Sequence, residues 1–202
     1  MTTTAADYAW FEDRFPDLAE AYCFTLVENL APADVLHRLD GREEAPLTGA
    51  EAVGDAAFAL FSRTDGTRQL VAMTALGSWT LLIEPNGYLG VTEARALPAS
   101  AGTRWVSHFV NVNAVDAFLW AEDGVRRLWF EPLFPDERWG TTPDDLLDAM
   151  HRIGFHFGDG DAPEPDLSGP AAFALAEHLT GVALTAELLE GTTFTCGSVE
   201  VR

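Results

Sequence analysis

The sequence predicts an α+β fold, a single domain in which a largely antiparallel sheet is covered by an N-terminal helical hairpin and C-terminal helices. Apolar residues recur at helical spacing near the start of the chain and again after residue 142, whereas short β-prone runs separated by turn residues fill the middle. Helices placed before and after a run of strands are typical of this class. With 202 residues, 48% of them hydrophobic, the chain suits one domain spanning residues 1–202.

Two helices are predicted before residue 42. The first runs from Asp17 to Leu30, where apolar side chains recur every three or four residues. The second begins at Pro32, which suits a first helical turn, and Gly41 ends it. The segment from Arg42 to Asp55 mixes glycine, proline, alanine and acids without periodicity, so we expect a surface loop there.

The middle of the chain predicts a meandering sheet. The predicted strands are residues 69–76, 78–84, 103–112, 114–122 and 125–131. Two turn signals separate them, Pro85-Asn86-Gly87 and the hairpin dipeptide Asp123-Gly124. Consecutive strands joined by short turns favour antiparallel pairing.

Helical spacing returns at the C-terminal end. The predicted helices are residues 142–153, 170–180 and 185–189, and a final strand over residues 192–201 returns to the sheet. Between the first two helices, residues 158–169 (GDGDAPEPDLSG) are acidic and rich in glycine and proline. That composition predicts an exposed loop within the domain.

The charge balance constrains the partners more than any motif does. The chain has 32 acidic residues and 12 basic ones, all of them arginine, for a net charge of -20. Charge of this sign repels phosphate backbones and anionic membrane surfaces, so nucleic-acid and membrane binding are disfavoured. By charge alone, a basic protein partner or a metal cation is favoured instead.

The start of the chain and its cysteines predict a cytoplasmic protein. The first residues, MTTTAADYAW, contain neither a basic region nor an apolar core of a signal peptide. Cys23 and Cys196 lie far apart in sequence, which indicates reduced thiols rather than a disulfide framework. The longest apolar stretches fall short of the ~20 residues that a membrane-spanning helix needs.

Two places in the sequence are candidate interface elements. Arg138 and Trp139 lie among polar and turn residues, and these two residue types often anchor protein interfaces. Asp159 and Asp161 lie in the acidic loop, where they are available to a basic partner.

An enzymatic site is the alternative. Glu84, His108, Asn111 and Glu131 fall in or beside predicted strands, and their side chains supply acid, base and hydrogen-bonding groups if the sheet brings them together. No serine lies in a nucleophile elbow, and no histidine or cysteine pattern has the spacing of a metal site. The sequence therefore predicts no metal and no cofactor.

Three blocks of the chain carry a resemblance to a known family. They are AYCFTLVENLAPADVLHRL, RRLWFEPLFPDERWGTTPDDLLDAM and ALAEHLTGVALTAELLEGTTFTCGSV. In this order they resemble the actinomycete proteins grouped as domain of unknown function 6461. The resemblance spans nearly the whole chain and implies a single full-length domain. It implies no catalytic residue and no ligand.

These observations favour a non-catalytic, cytoplasmic protein-interaction or regulatory module with an acidic surface, of which an inhibitor or immunity-type protein is one form. The alternative from another class is a hydrolase or small-molecule-binding enzyme with a site assembled on the sheet from the four residues named above.

Overall fold

An antiparallel sheet forms the centre of the molecule in the computed structural model, which describes residues 3–158 and 165–201. The strands are β1 (Tyr22–Glu28), β2 (Arg42–Thr48), β3 (Arg68–Leu76), β4 (Trp79–Pro85), β5 (Arg104–Val110), β6 (Asp116–Glu122), β7 (Val125–Phe130), β8 (Arg138–Trp139) and β9 (Thr193–Glu200). Within the described residues they form one nine-stranded sheet in the order β2-β9-β3-β4-β1-β5-β6-β7-β8. All neighbouring pairs are antiparallel, which confirms the predicted α+β class and sheet type.

Helices cover both faces of this sheet. They are α1 (Trp10–Arg14), α2 (Pro16–Ala19), α3 (Pro32–Arg38), α4 (Ala50–Thr64), α5 (Glu93–Ala99), α6 (Leu147–Ile153), α7 (Ser168–Thr180) and α8 (Ala186–Gly191). Two short 3-10 helices, Ala5–Tyr8 and Leu89–Val91, complete the described helical elements. Within the described chain, no helix combines the length and the apolar character that crossing a bilayer requires.

The central strand β1 divides the core into two clusters. Tyr22, Phe24 and Leu26 join the larger cluster, to which α7, α4 and α6 also contribute. Val27 joins the smaller cluster, together with side chains of α3 and α5. Because successive side chains of a strand point to opposite faces, the two clusters lie on the two sides of the sheet. We call these sides the α7 face and the α5 face.

The helix predicted from Asp17 to Leu30 is wrong, because half of this stretch, Tyr22–Glu28, forms β1. Every residue from Tyr22 to Val27 is buried, since helices cover the strand on both faces. A continuous apolar run of this kind fits helical spacing as well as it fits a fully buried strand. The helix predicted after Pro32 does form, as α3, so a strand followed by a helix replaces the predicted hairpin.

The loop predicted from Arg42 to Asp55 is also wrong. Its first half is the edge strand β2, which is mostly exposed and shifts register against β9 between Glu44 and Leu47. An exposed edge strand lacks the apolar alternation that identifies a half-buried strand. The second half enters α4, where glycine and aspartate interrupt an alanine-rich stretch and weaken the helical pattern.

The remaining predicted helices and strands are confirmed, whereas residues 159–164 of the predicted acidic loop lie outside the described residues. The five central predicted strands correspond to β3, β4, β5, β6 and β7 with small shifts at their ends. Asp123 and Gly124 both have positive φ, 51° and 76°, as a tight hairpin turn requires. The C-terminal helices α7 and α8 and the strand β9 form as predicted, whereas α6 starts at Leu147, later than the predicted Thr142.

Substitution of Gly90 tests the packing of the α5 face. A Cβ on Gly90 would overlap the Thr25 hydroxyl oxygen and the Cys23 sulfur, both buried in β1. We expect Gly90→Ala to lower the free energy of unfolding in urea by about 1–3 kcal/mol, as overpacking of a core does. Gly54→Ala is the matched control, because a Cβ there has no neighbour within 4 Å and lies inside α4. It should stabilise the protein by about 0.5–1 kcal/mol. Equal effects of the two substitutions would contradict this packing.

Candidate functional site

A cleft of about 170 Å³ opens on the α7 face, at the end of the sheet where β1 begins. Its walls come from α1, the first residue of β1, the turn between β5 and β6, and the N-terminal end of α7. Three carboxylates line it: Glu12, Asp116 and Asp166. No arginine or histidine lines the cleft among the described residues. The cleft is therefore negatively charged and contains no countercharge of its own.

Three aromatic rings form one wall of the cleft. The Phe173 ring of α7 lies 4.9 Å from the Phe11 ring and 5.5 Å from the Tyr22 ring, measured between centroids. Phe11 also meets Tyr22 edge to face at 5.3 Å. Burial raises the pKa of Tyr22 well above its usual value, so its hydroxyl stays neutral. Because the rings pack on one another, the wall is fixed before any ligand arrives.

The turn between β5 and β6 places Asp116 in the cleft. The Asn111 side-chain oxygen accepts hydrogen bonds from the backbone N–H groups of Asn113 and Val115, at 2.9 and 3.1 Å. Asparagine stabilises tight turns in this way. The chain therefore reverses directly, and Asp116 pairs with Val110 at the start of β6.

Asp116 is a buried carboxylate whose hydrogen bonding is incomplete. The residue is only 5% exposed, and its Oδ2 accepts a hydrogen bond of 3.1 Å from the Leu133 backbone N–H. Its Oδ1 is buried and has no partner in the part of the chain that the structure describes. Burial raises the pKa of Asp116 to about 7, and the neighbouring carboxylates of Glu131 and Asp166 add to the rise. Buried polar atoms normally have a partner, so the missing partner of Oδ1 sets Asp116 apart from most buried carboxyls.

His108 lies behind the aromatic wall. Its ring centroid is 5.2 Å from that of Tyr22 and 4.9 Å from that of Phe173, both edge to face. Neither ring nitrogen has a hydrogen-bond partner among the described residues. Burial lowers the pKa of His108 to about 3, so the imidazole is neutral near pH 7. It packs as an aromatic side chain and brings no positive charge to the cleft.

The arrangement suits a cation. Carboxylates that lack internal countercharges attract positive charge, and the faces of aromatic rings add to that attraction. The described residues contain no group of three or more His, Cys, Asp and Glu arranged to hold a metal ion. The cleft walls carry two kinds of group, carboxylates and aromatic rings, that interact favourably with positive charge.

The four residues of the predicted sheet site are not brought together. Glu84 alternates with Ile83 of the larger cluster and so points to the α5 face, whereas His108 contacts Phe173 on the α7 face. The sheet itself separates the acid from the imidazole.

Glu84 instead anchors the segment that follows β4. It is 0% exposed and accepts hydrogen bonds from the backbone N–H groups of Leu89, at 2.8 Å, and Gly90, at 2.9 Å. The Gln69 side-chain amide donates a further one. Burial raises the pKa of Glu84 to about 7, against the opposing effect of these hydrogen bonds. Since donors of the protein itself surround this carboxylate, its role is structural.

The other two predicted residues, Asn111 and Glu131, lie at the end of the sheet that forms the cleft. Asn111 builds the turn before Asp116, and Glu131 follows β7 close enough to raise the pKa of Asp116. Asp116 was missed by sequence reasoning. Its only local signal is an acid at the boundary between the turn-like NVNAV and the apolar AFLW.

The interface candidates have different surroundings. Arg138 is used internally: it donates to the Pro135 carbonyl and, at 2.8 Å, to Asp144, and its guanidinium lies over the Phe157 ring. Trp139 is 45% exposed and packs on Trp129 at the edge of the sheet, with ring centroids 5.2 Å apart. It remains available to a partner. Asp159 and Asp161 lie outside the described residues.

A second, smaller cleft of about 80 Å³ lies between α4 and the sheet. Its walls include the exposed rings of Phe58, Phe61 and Tyr88. Arg68 also lines it, and its guanidinium donates to the Ser198 carbonyl and hydroxyl oxygens. This cleft offers apolar surface and no buried atom comparable with Asp116 Oδ1 among its described lining residues.

The two buried carboxyls predict a pH dependence of stability. The pKa values of Glu84 and Asp116 are raised to about 7 in the folded chain, from 4.5 and 3.8. Between these limits the folded chain holds protons on Glu84 and Asp116 that the unfolded chain has lost, so the contribution of these two groups to stability falls as pH rises through this window. His108, whose pKa is lowered to about 3, contributes in the opposite direction below its usual pKa. Replacing Glu84 with Gln removes one of the two groups. We expect the slope of unfolding free energy against pH, between pH 5 and 7, to become shallower by up to about 1.4 kcal/mol per unit.

The matched control is Glu43→Gln, at an exposed position of β2. Urea unfolding at several pH values measures all three proteins. A Glu84→Gln variant with the same slope as the wild type would show that Glu84 is ionised throughout this range.

Comparison with known proteins agrees with the three sequence blocks that suggested a family. The model of a family of unknown function, DUF6461, matches residues 1–202. Neither a curated protein nor a solved structure matches the chain. The resemblance to this family is confirmed over the whole length, and the chain belongs to the family of unknown function DUF6461.

Proposed function

We propose that this chain is a non-catalytic protein-interaction module that engages a basic protein partner through the acidic cleft. The observation that supports this best is the cleft itself, where three carboxylates meet an aromatic wall without a basic residue among the described lining. Such a surface attracts positively charged groups and repels nucleic acids and anionic membranes. An inhibitor or immunity-type protein is one form that such a module takes.

The internal use of the arginines supports the proposal. Arg14, Arg104, Arg126, Arg127 and Arg138 form ion pairs with carboxylates of the described chain. Arg38 and Arg68 donate to backbone carbonyls instead. With 32 acids against 12 arginines in all, most carboxylates have no arginine to pair with. The chain therefore has an excess negative field that steers a basic partner towards it.

The rim of the cleft extends the same charge. Glu12 and Asp166 line the cleft and are exposed, and Asp13, Asp17 and Glu20 are exposed on the neighbouring N-terminal segment. Arg14, the arginine within this segment, is paired with Glu190 of α8. Exposed charges of one sign around a cleft raise the association rate with a partner of opposite sign, and this effect weakens with salt.

The predicted cytoplasmic setting belongs to the same proposal. Cys23 and Cys196 are both buried and free. They lie in different strands, Cys196 on the α7 face and Cys23 beside Glu84 on the α5 face. Reduced, buried thiols are usual in the cytoplasm, where they behave as small apolar side chains.

Affinity capture with matched variants tests the proposal. The cleft variant is Glu12→Gln with Asp166→Asn, and the control variant is Asp34→Asn with Asp55→Asn, which are exposed positions outside the cleft lining. Both remove two negative charges. From a lysate of cells that express the chain, we expect the wild type and the control to retain one basic protein in stoichiometric amount at low salt. The cleft variant should retain about tenfold less, because two charge contacts are lost.

The expected partner is rich in arginine or lysine and is lost at high salt, as screening requires. Retention of the same basic protein by the cleft variant and the control would contradict a role for the cleft. Failure of the wild type to retain any basic protein at low salt would contradict the proposed function.

A further inference from the structure

We infer that the cleft binds the guanidinium group of an arginine side chain, an inference that rests on the proposed function and names the group that the partner presents. Four features of the cleft lead to arginine: an unpartnered carboxylate oxygen, flanking negative charge, a preformed aromatic wall and sufficient volume.

The unpartnered oxygen supplies the primary contact. Asp116 lines the cleft, is 5% exposed, and uses only Oδ2 in a hydrogen bond to the Leu133 N–H. Oδ1 has no partner among the described residues. A carboxylate fixed through one oxygen offers the other to an incoming N–H donor, and charge-assisted bonds of this kind are the strong ones. The ligand atom at Asp116 is therefore a donor.

The flanking carboxylates require that this donor be positively charged. Glu12 and Asp166 line the same cleft, and the Glu131 carboxylate is close enough to act on Asp116. A neutral amide would leave several negative charges facing one another. An anion would add to them. A cation offsets the repulsion and favours ionisation of Asp116 itself.

The aromatic wall distinguishes guanidinium from ammonium. Phe11, Tyr22 and Phe173 are fixed by their mutual packing and line the cleft together. A guanidinium is flat, weakly hydrated and stacks on aromatic rings, while its five N–H groups reach more than one carboxylate. A lysine ammonium is a compact and strongly hydrated charge that loses more on leaving water. Next to this buried aromatic wall, the weakly hydrated guanidinium loses less on leaving water, and its separate N–H groups reach separate carboxylates, so the cleft favours arginine.

The size of the cleft agrees with a side chain rather than an ion or a water molecule. The cleft has a volume of about 170 Å³. A single water molecule needs only ~10–15 Å³ of such volume. The aliphatic part of arginine finds apolar lining in Val110, Ala114 and Pro170. Long cationic side chains bury their stems on such surfaces while the head is held by polar groups.

Small arginine analogues test this site separately from the protein partner. The probes are the N-acetyl methylamides of arginine, lysine and citrulline, added to the full chain and followed by backbone NMR shifts. We expect the arginine probe to bind in the millimolar range and to shift resonances of Asp116, Ser168 and Gly169 around the cleft. The lysine probe should bind about fivefold or more weakly, and citrulline, which is neutral, should not bind.

The variant Asp116→Asn should weaken binding of the arginine probe about tenfold or more, since it removes the charge at the unpartnered oxygen. The control is Glu84→Gln, another buried carboxyl on the opposite face, which should bind as the wild type does. Should Asp116→Asn fail to fold, the exposed pair Glu12→Gln with Asp166→Asn replaces it and should also weaken binding.

The pH dependence of binding separates a contact with Asp116 from general attraction to the acidic surface. Among the described residues, the titratable groups around Asp116 are Glu12 of α1, Tyr22 of β1, Glu131 after β7 and Asp166 before α7. Burial raises the pKa of Tyr22 well above its usual value, so its hydroxyl stays neutral in this range. Affinity of the wild type for the arginine probe should rise up to about tenfold from pH 6 to pH 8, as Asp116 ionises. The rise should be absent in Asp116→Asn.

Equal affinity for the arginine and lysine probes, shifts confined to other surfaces, or full binding by Asp116→Asn would each overturn the guanidinium site. If the wild type captures a basic protein but does not bind the arginine probe, the result supports a basic partner and contradicts the guanidinium site. If the arginine probe binds in the cleft but the wild type captures no basic protein, the result supports the guanidinium site and contradicts the proposed protein partner.

Discussion

The pairing of β1 with β4 on one side and β5 on the other is the constraint on which the rest of the structure depends. Helices cover this central strand on both faces, so its alternating side chains serve two cores at once. Tyr22 enters the cleft wall, and the next residue, Cys23, lies beside Glu84 on the other face. A slip of one residue would exchange the two faces, so this register fixes the position of the cleft relative to the sheet.

The sequence predicted the elements whose ends carry explicit turn chemistry. The dipeptide Asp123-Gly124 and the helix end predicted at residue 153, where Gly154 follows with φ of 113°, rest on local signals that do not depend on tertiary contacts. In contrast, β1 carries apolar residues on both faces because helices cover both, and its spacing therefore imitates a helix. The start of α4 was missed because Gly54 and Asp55 interrupt it, and its large rings Phe58 and Phe61 are exposed, so they do not mark the buried stripe. In both cases the missing information was what packs against the segment.

The candidate site shows the same limit at the level of single residues. Glu131 ends a predicted strand, and only the alternative sheet site would bring it to Glu84; the structure places it near Asp116, and the sheet separates the cleft from Glu84. Asp116 was not named, because neither its burial nor its bond to Leu133 is encoded nearby. Its distinguishing property is an oxygen left without a partner. Such a property belongs to the assembled fold, so no local sequence pattern could have shown it.

Two buried carboxyls with pKa values raised in the same direction thus have different consequences. Glu84 receives N–H donors from Gln69, Leu89 and Gly90, so the free-energy cost of burying it is offset within the fold, and it holds the chain after β4 in place. Asp116 receives one such bond and faces further carboxylates. Its burial therefore costs stability that no other described group offsets, and folded proteins have little stability to spare. A cationic partner that completes the bonding of Asp116 and lowers the repulsion around it stabilises the folded chain on binding. The incomplete carboxylate, rather than the total charge, is what distinguishes this cleft from the rest of an acidic surface.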